Sequence, residues 1–189
     1  MGGIADFKKE VKDLKEFVAL ATVSAKNYQK TNVDLIKHLT KDKKIPGVYV
    51  TLNRPFSSVR KLLEKGGVDT EMIIFLDGVI KTAGGKITKE KNCVFIGSLE
   101  NLSDFSLAMD QAVRALPGKD KFLFFDSLST LLLYNSAETV ARFIHFLAGK
   151  MRVWKVKGIL ISLERQEDKD LIEELTQFCD VIVDFGGEK

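Results

Sequence analysis

The chain has little of what metal and redox chemistry rests on: two cysteines and two histidines in 189 residues. Cys93 and Cys179 lie far apart and form no CxxC pair, which excludes a thiolate metal knot and a disulfide framework. Each borders an apolar run, so both are expected to be buried, reduced thiols. His38 and His145 have no ligand-spaced partner and are expected at the surface or on helix flanks. No apolar segment is long enough to span a bilayer, and the charged start MGGIADFKKEVKDLKEF lacks the core of a signal peptide. A cytoplasmic protein with no membrane partner is predicted. An excess of one charge is also missing, since 29 Lys and Arg face 26 Asp and Glu. A nucleic-acid footprint needs basic residues gathered on one face. The one basic stretch, Lys81, Lys86, Lys89 and Lys91, reads as a solvated loop, and a nucleic-acid partner is not expected.

What is present is an alternation of apolar runs and amphipathic segments. Ile4, Phe7, Val11, Leu14 and Val18 recur at three- and four-residue steps and predict an amphipathic helix over residues 1–16 that packs on its own domain. Residues 17–23 are an unbroken apolar run, read as a buried strand, and a polar loop at 24–30 leads into a helix from about Thr31 to Thr40. Further strands are expected at 47–52, 122–125, 158–163 and 181–185. Pro55 opens a helix that stops at Gly66-Gly67, and other helices run through Leu102–Leu116, from an Asn135/Glu138 capping pair to Met151, and through Leu171 and Leu175. The apolar runs 72–76 and 93–96 are joined by a Gly- and Lys-rich segment, 77–92, read as a hairpin or an exposed loop. Strands without polar alternation, separated by helices, imply a mostly parallel sheet covered on both faces. The expected fold is therefore an α/β three-layer αβα sandwich, one domain over residues 1–189. Ligands of such sheets sit beyond the carboxyl ends of strands, which directs attention to Ser24, Asn53, Asp126 and Glu164.

The segment Ser24-Ala25-Lys26-Asn27-Tyr28-Gln29-Lys30-Thr31 joins the first strand to its helix. A phosphate-binding loop at that place reads G-x-x-x-x-G-K-[ST]: glycines let backbone N–H groups curl around phosphate, Lys supplies charge and the hydroxyl holds magnesium. Lys30 and Thr31 match, whereas Ser24 and Gln29 stand at the glycine positions. Downstream, Phe122-Leu123-Phe124-Phe125-Asp126 closes an apolar strand with an acid able to face a magnesium shell.

The stretch KFLFFDSLSTLLLY, followed by a long helix and then GILISL, resembles the Walker B region and next strand of the KaiC/RadA branch of RecA-like ATPases. GVYVTL is similar to that family's second strand. The resemblance spans residues 17–185 and implies a core sheet ordered 5-1-4-3-2, with strand 1 at 17–23, strand 3 at 122–125 and strand 4 at 158–163. It also implies that Lys30, Thr31 and Asp126 are a vestigial nucleotide and magnesium site. Where the family reads GxPGTGK[ST], this chain has Ser24, Asn27 and Gln29, and Asn53-Arg54 replaces the Glu-Glu pair that polarises water. Neither Asn nor Arg serves as a general base at neutral pH. The reading that follows is a catalytically inactive pseudo-ATPase with no catalytic residues and no required cofactor. It acts as a regulatory or interaction scaffold for a protein partner or a second copy. The alternatives are a module that binds ATP or ADP with magnesium and turns over little, and a nucleic-acid-binding recombinase paralogue.

Overall fold

Short runs of apolar, β-branched and aromatic residues with no polar alternation suit the strands of a sheet buried on both faces. The computed structural model, which describes residues 3–87, 89–165 and 168–186, places them there. Seven strands form one sheet: β1 (Phe17–Val23), β2 (Gly47–Thr51), β3 (Ile73–Asp77), β4 (Cys93–Phe95), β5 (Phe122–Asp126), β6 (Lys157–Leu163) and β7 (Val181–Phe185). Their order is β4-β3-β2-β5-β6-β1-β7 and every pairing is parallel. The five core strands run β7-β1-β6-β5-β2, the 5-1-4-3-2 arrangement, and the sheet differs from the expected core by β3 and β4 added beyond β2.

Alternate residues of each strand point to opposite faces. Leu20, Val50, Leu123 and Phe125 pack under α4 (Leu102–Ala115), α5 (Leu128–Leu131), α6 (Ala137–Trp154) and α7 (Lys169–Thr176). Ala21, Tyr49, Phe124 and Ile161 pack under α1 (Ile4–Glu10), α2 (Tyr28–Lys37) and α3 (Phe56–Lys65). The result is the expected three-layer sandwich. Gly47 opens β2 because the Phe122 ring of β5 lies where a Cβ would sit, at 2.3 Å. No helix among the described residues is long and apolar enough to cross a membrane.

Several elements depart from expectation. The amphipathic pattern suggested a helix to residue 16, but α1 ends at Glu10 with Val11 as its C-cap. Leu14 is 38% exposed, and the chain straightens so that the Lys15 carbonyl can accept from Lys157 Nζ at 2.6 Å on entry to β1. The second helix starts at Tyr28, earlier than Thr31, and runs on as a π-helical turn, His38–Asp42. Residues 77–92 are not a hairpin. Phe75 pairs with Cys93 in a parallel register, which requires a crossover, and residues 81–87 are the exposed loop that makes it. The N-cap of α6 is Ser136, whose Oγ accepts from the Thr139 N–H; Asn135 instead donates to the Leu99 and Leu131 carbonyls. His38 is buried, away from a helix flank, while His145 is exposed and stacks on Phe178 at 4.6 Å. Both cysteines are free but only half-buried; burial pushes Cys93 up to about 12 and Cys179 up to about 11.

Candidate functional site at the carboxyl ends of β1, β2 and β5

Asp126 is the last residue of β5 and is 3% exposed. A carboxylate buried to that degree needs donors on both oxygens. Two elements provide them. On α2, Tyr28 and Asn32 stand one turn apart and share a face. The Tyr28 hydroxyl donates to Asp126 Oδ1, and Asn32 Nδ2 donates to Oδ2 at 3.1 Å. On β2, which pairs with β5, the Tyr49 hydroxyl donates to Oδ2 at 2.6 Å. The Tyr49 ring is 2% exposed and lies 4.9 Å from Phe124 and 5.7 Å from Phe75, so its direction is set by packing.

A second layer joins this cluster to the loop after β2. Asn53 Nδ2 donates to the Tyr28 oxygen at 2.6 Å and to Ser127 Oγ at 3.1 Å. Thr130 Oγ1 donates to Asn53 Oδ1, and the Ser127 and Thr130 hydroxyls lie 3.2 Å apart. Burial pushes the Asp126 carboxyl above its ordinary range, opposed by the bonds from Tyr28, Tyr49 and Asn32. Burial, and then the charge of Asp126, pushes both tyrosines upward, so they remain protonated donors. The cluster is a polar network that ties α2, β2, β5 and α5 together.

The segment before α2 is tight. Asn27 donates from its N–H to the Ser24 carbonyl at 3.0 Å, and Thr31 donates to the Asn27 carbonyl at 2.8 Å. The left-handed non-glycine residues among those described are Lys44 and Lys155, so residues 24–31 contain none of the positive-φ positions that open a phosphate cradle. Lys30 is exposed on α2, two residues from Tyr28 and therefore off the face that meets Asp126. Thr31 is buried on the first turn, and Glu164 is exposed at the end of β6. The structure thus brings Asn53 and Asp126 together and leaves Lys30 and Glu164 outside the network. Ser24 Oγ and Asn32 Oδ1 are buried without a hydrogen-bond partner. No group of three or more His, Cys, Asp and Glu suited to a metal ion occurs among the described residues.

Tyr28, Asn32, Tyr49, Ser127 and Thr130 were not anticipated. The available signal was a tyrosine inside an otherwise apolar strand, since a buried hydroxyl requires a partner.

A sequence profile for a family of unknown function, DUF7504, matches residues 26–185. The chain belongs to that family. The matched part of this DUF7504 chain runs from the turn before α2 to the end of β7 and includes every member of the Asp126 network. No curated protein matches it in sequence. Among solved structures, it is similar to the KaiC-like protein PH0186 from the hyperthermophilic archaeon Pyrococcus horikoshii OT3. The TM-score is 0.65 and the identity 16%, over 92% of this chain and 74% of that one. It is also similar to the uncharacterized protein PH0321 from Pyrococcus horikoshii, solved in complex with an unknown peptide. There the TM-score is 0.71 and the identity 15%, over 95% of this chain and 82% of that one. At these identities the likeness is one of fold: the DUF7504 chain has a KaiC-like, RecA-type α/β fold.

Proposed function

We propose that this domain is a KaiC-like pseudo-ATPase, catalytically inactive, that acts as a cytoplasmic interaction scaffold for a protein partner. The observation that carries the reading is the engagement of Asp126. In a nucleotide-hydrolysing member of this fold, the carboxylate ending this strand must face a magnesium shell. Here both of its oxygens accept from Tyr28, Tyr49 and Asn32, and the Tyr28 hydroxyl lies against Oδ1. ATP with magnesium does not fit this arrangement. The turn at 24–27 offers no glycine-built cradle, Lys30 faces solvent, and Asn53, at the position expected to polarise water, instead holds Tyr28, Ser127 and Thr130. A protein partner is supported further by PH0321, a neighbour in fold that was solved with a bound peptide.

The test is a thermal-shift and calorimetric titration of ATP and ADP with magnesium on wild type and Lys30→Ala. A ligand that binds only the native state raises the melting temperature by an amount fixed by its affinity and concentration. The expected outcome is no shift at millimolar nucleotide for either protein. A magnesium-dependent shift in wild type that disappears in Lys30→Ala would overturn the proposal in favour of a nucleotide-responsive module.

A further inference from the structure

α4 and α6 lie side by side on the face of the sheet opposite α2, and between them runs an open groove of about 610 Å³. Phe143 forms its buried floor, while Leu107 on α4 and Phe146 on α6 stand 59% and 48% exposed on its walls. Large side chains held this far out of a core have an unfavourable hydration that a partner would relieve. Val153, two turns beyond Phe146, continues the apolar stripe of α6 and is also exposed. The groove's charged residues are unequal in sign. Arg114, Arg142 and Lys150 line it against a single acid, Asp110. Asp110 accepts from Trp154 Nε1 at 2.9 Å and from Arg114 Nε at 2.7 Å, which offsets Arg114 and leaves Arg142 and Lys150 as the groove's excess positive charge. Lys150 lies 5.6 Å from the centre of the Phe146 ring, so a cation sits directly over the exposed aromatic. The Arg142–Glu138 pair is a solvent-facing i,i+4 contact that is readily exchanged for a partner's carboxylate.

We infer that the α4–α6 groove docks an amphipathic helical segment of a partner protein, with apolar residues at one-turn spacing flanked by Asp and Glu. Two parallel helix ridges with an apolar floor favour a helix laid between them over an extended strand. The positive rim selects acidic flanks by charge complementarity and steers their approach. This inference rests on the interaction-scaffold reading and names its surface and the chemistry of its partner.

The test is selection of a random peptide library displayed on phage against the full chain. Enriched peptides are then labelled, and their affinity is measured by fluorescence anisotropy. Enriched sequences should pair Leu, Ile, Phe or Trp with acids. Phe146→Asp and Leu107→Asp should each weaken binding at least about tenfold, as truncation of a central apolar anchor does. The double change Arg142→Glu/Lys150→Glu should weaken acidic peptides and raise affinity for charge-inverted versions, whereas Lys9→Glu on α1, across the sheet, should have no effect. Lys9, Leu107, Arg142 and Phe146 are exposed and Lys150 is half-buried, and far-ultraviolet circular dichroism confirms that the variants fold. Peptides that bind wild type and Phe146→Asp equally would overturn the groove but leave the scaffold reading standing. Recovery of basic or uncharged peptides would overturn the charge argument. Phosphatidylserine vesicles that bind more tightly than any peptide, or a dimer dissolved by Phe146→Asp in sedimentation, would assign the surface to a membrane or to a second copy and overturn the inference.

Discussion

Replacing Asp126 by alanine should unfold this protein more readily, and the size of the effect follows from its neighbours. The change deletes the acceptor for three donors, the Tyr28 and Tyr49 hydroxyls and the Asn32 amide. Tyr28 is only half-buried and still faces Asn53, so its loss is small. Tyr49 and Asn32 are almost fully buried, and each stranded donor costs about 1–3 kcal/mol. Against this, removing a carboxylate that burial already disfavours returns part of its desolvation cost. The net expectation is about 3 kcal/mol of destabilisation, a fall of roughly 6–12 °C in melting temperature for a chain of this size. Tyr49→Phe keeps the ring and removes one charge-assisted bond, so it should cost about 1.5 kcal/mol. The double variant should cost clearly less than the sum, because the two residues share one interaction. Urea unfolding, followed by Trp154 fluorescence and circular dichroism, measures all of these, with an unchanged m value as the control for two-state behaviour. A solvent-facing carboxylate kept for metal chemistry would give the opposite result, since relieving a strained functional site leaves stability unchanged or raised. An Asp126→Ala protein as stable as wild type would refute the description of Asp126 as a structural hub.

Two further outcomes are expected. Burial lowers the His38 pKa below 6.5, opposed by the bond to Asp42 and reinforced by Lys8 and Lys43. The unfolded chain then takes up the proton first, so the stability held above pH 6.5 is lost as pH falls toward the folded value, by at most about 1.4 kcal/mol per pH unit. Wild type should therefore lose stability relative to His38→Gln between about pH 7.5 and about pH 5.5. Proton NMR of the two histidines, His38 and His145, reads the titration directly. Gly47→Ala should destabilise by about 1–3 kcal/mol through contact with the Phe122 ring. A lower urea midpoint that Phe122→Leu partly restores would establish that cause, and an unchanged midpoint would exclude it.

The sheet was legible because its strands are unbroken apolar runs, and Asp126 was found because an acid closes one of them. The partners of Asp126 were not legible as a set. Tyr28 sat between two positions where the loop pattern expects glycine, Asn27 and Gln29, and only the start of α2 at residue 28 turns it inward with Asn32. Tyr49 lay in a strand whose five residues are all buried, where one hydroxyl does not disturb the hydrophobic pattern. The β3–β4 connection was left open between a hairpin and an exposed loop because glycines and lysines mark turns equally well in a tight reversal and in a long crossover, and the parallel register selects the exposed loop. The early end of α1 had no glycine or proline to announce it; it is set by the demand that Phe17 enter the sheet beside Lys157.

That last pairing has a consequence for how the chain is made. β1 lies between β6 and β7, so residue 17 finds its neighbours only at residues 157 and beyond. As the polypeptide leaves the ribosome, the run FVALATV emerges early and stays without a partner strand until most of the domain has been translated. The first native contacts must form among β2, β3 and β5, with β1 added last to a slot that β6 and β7 complete. Non-local parallel pairing of this kind folds slowly and leaves an adhesive edge in the interval. The β1 segment is thus where nascent-chain chaperones have most to protect.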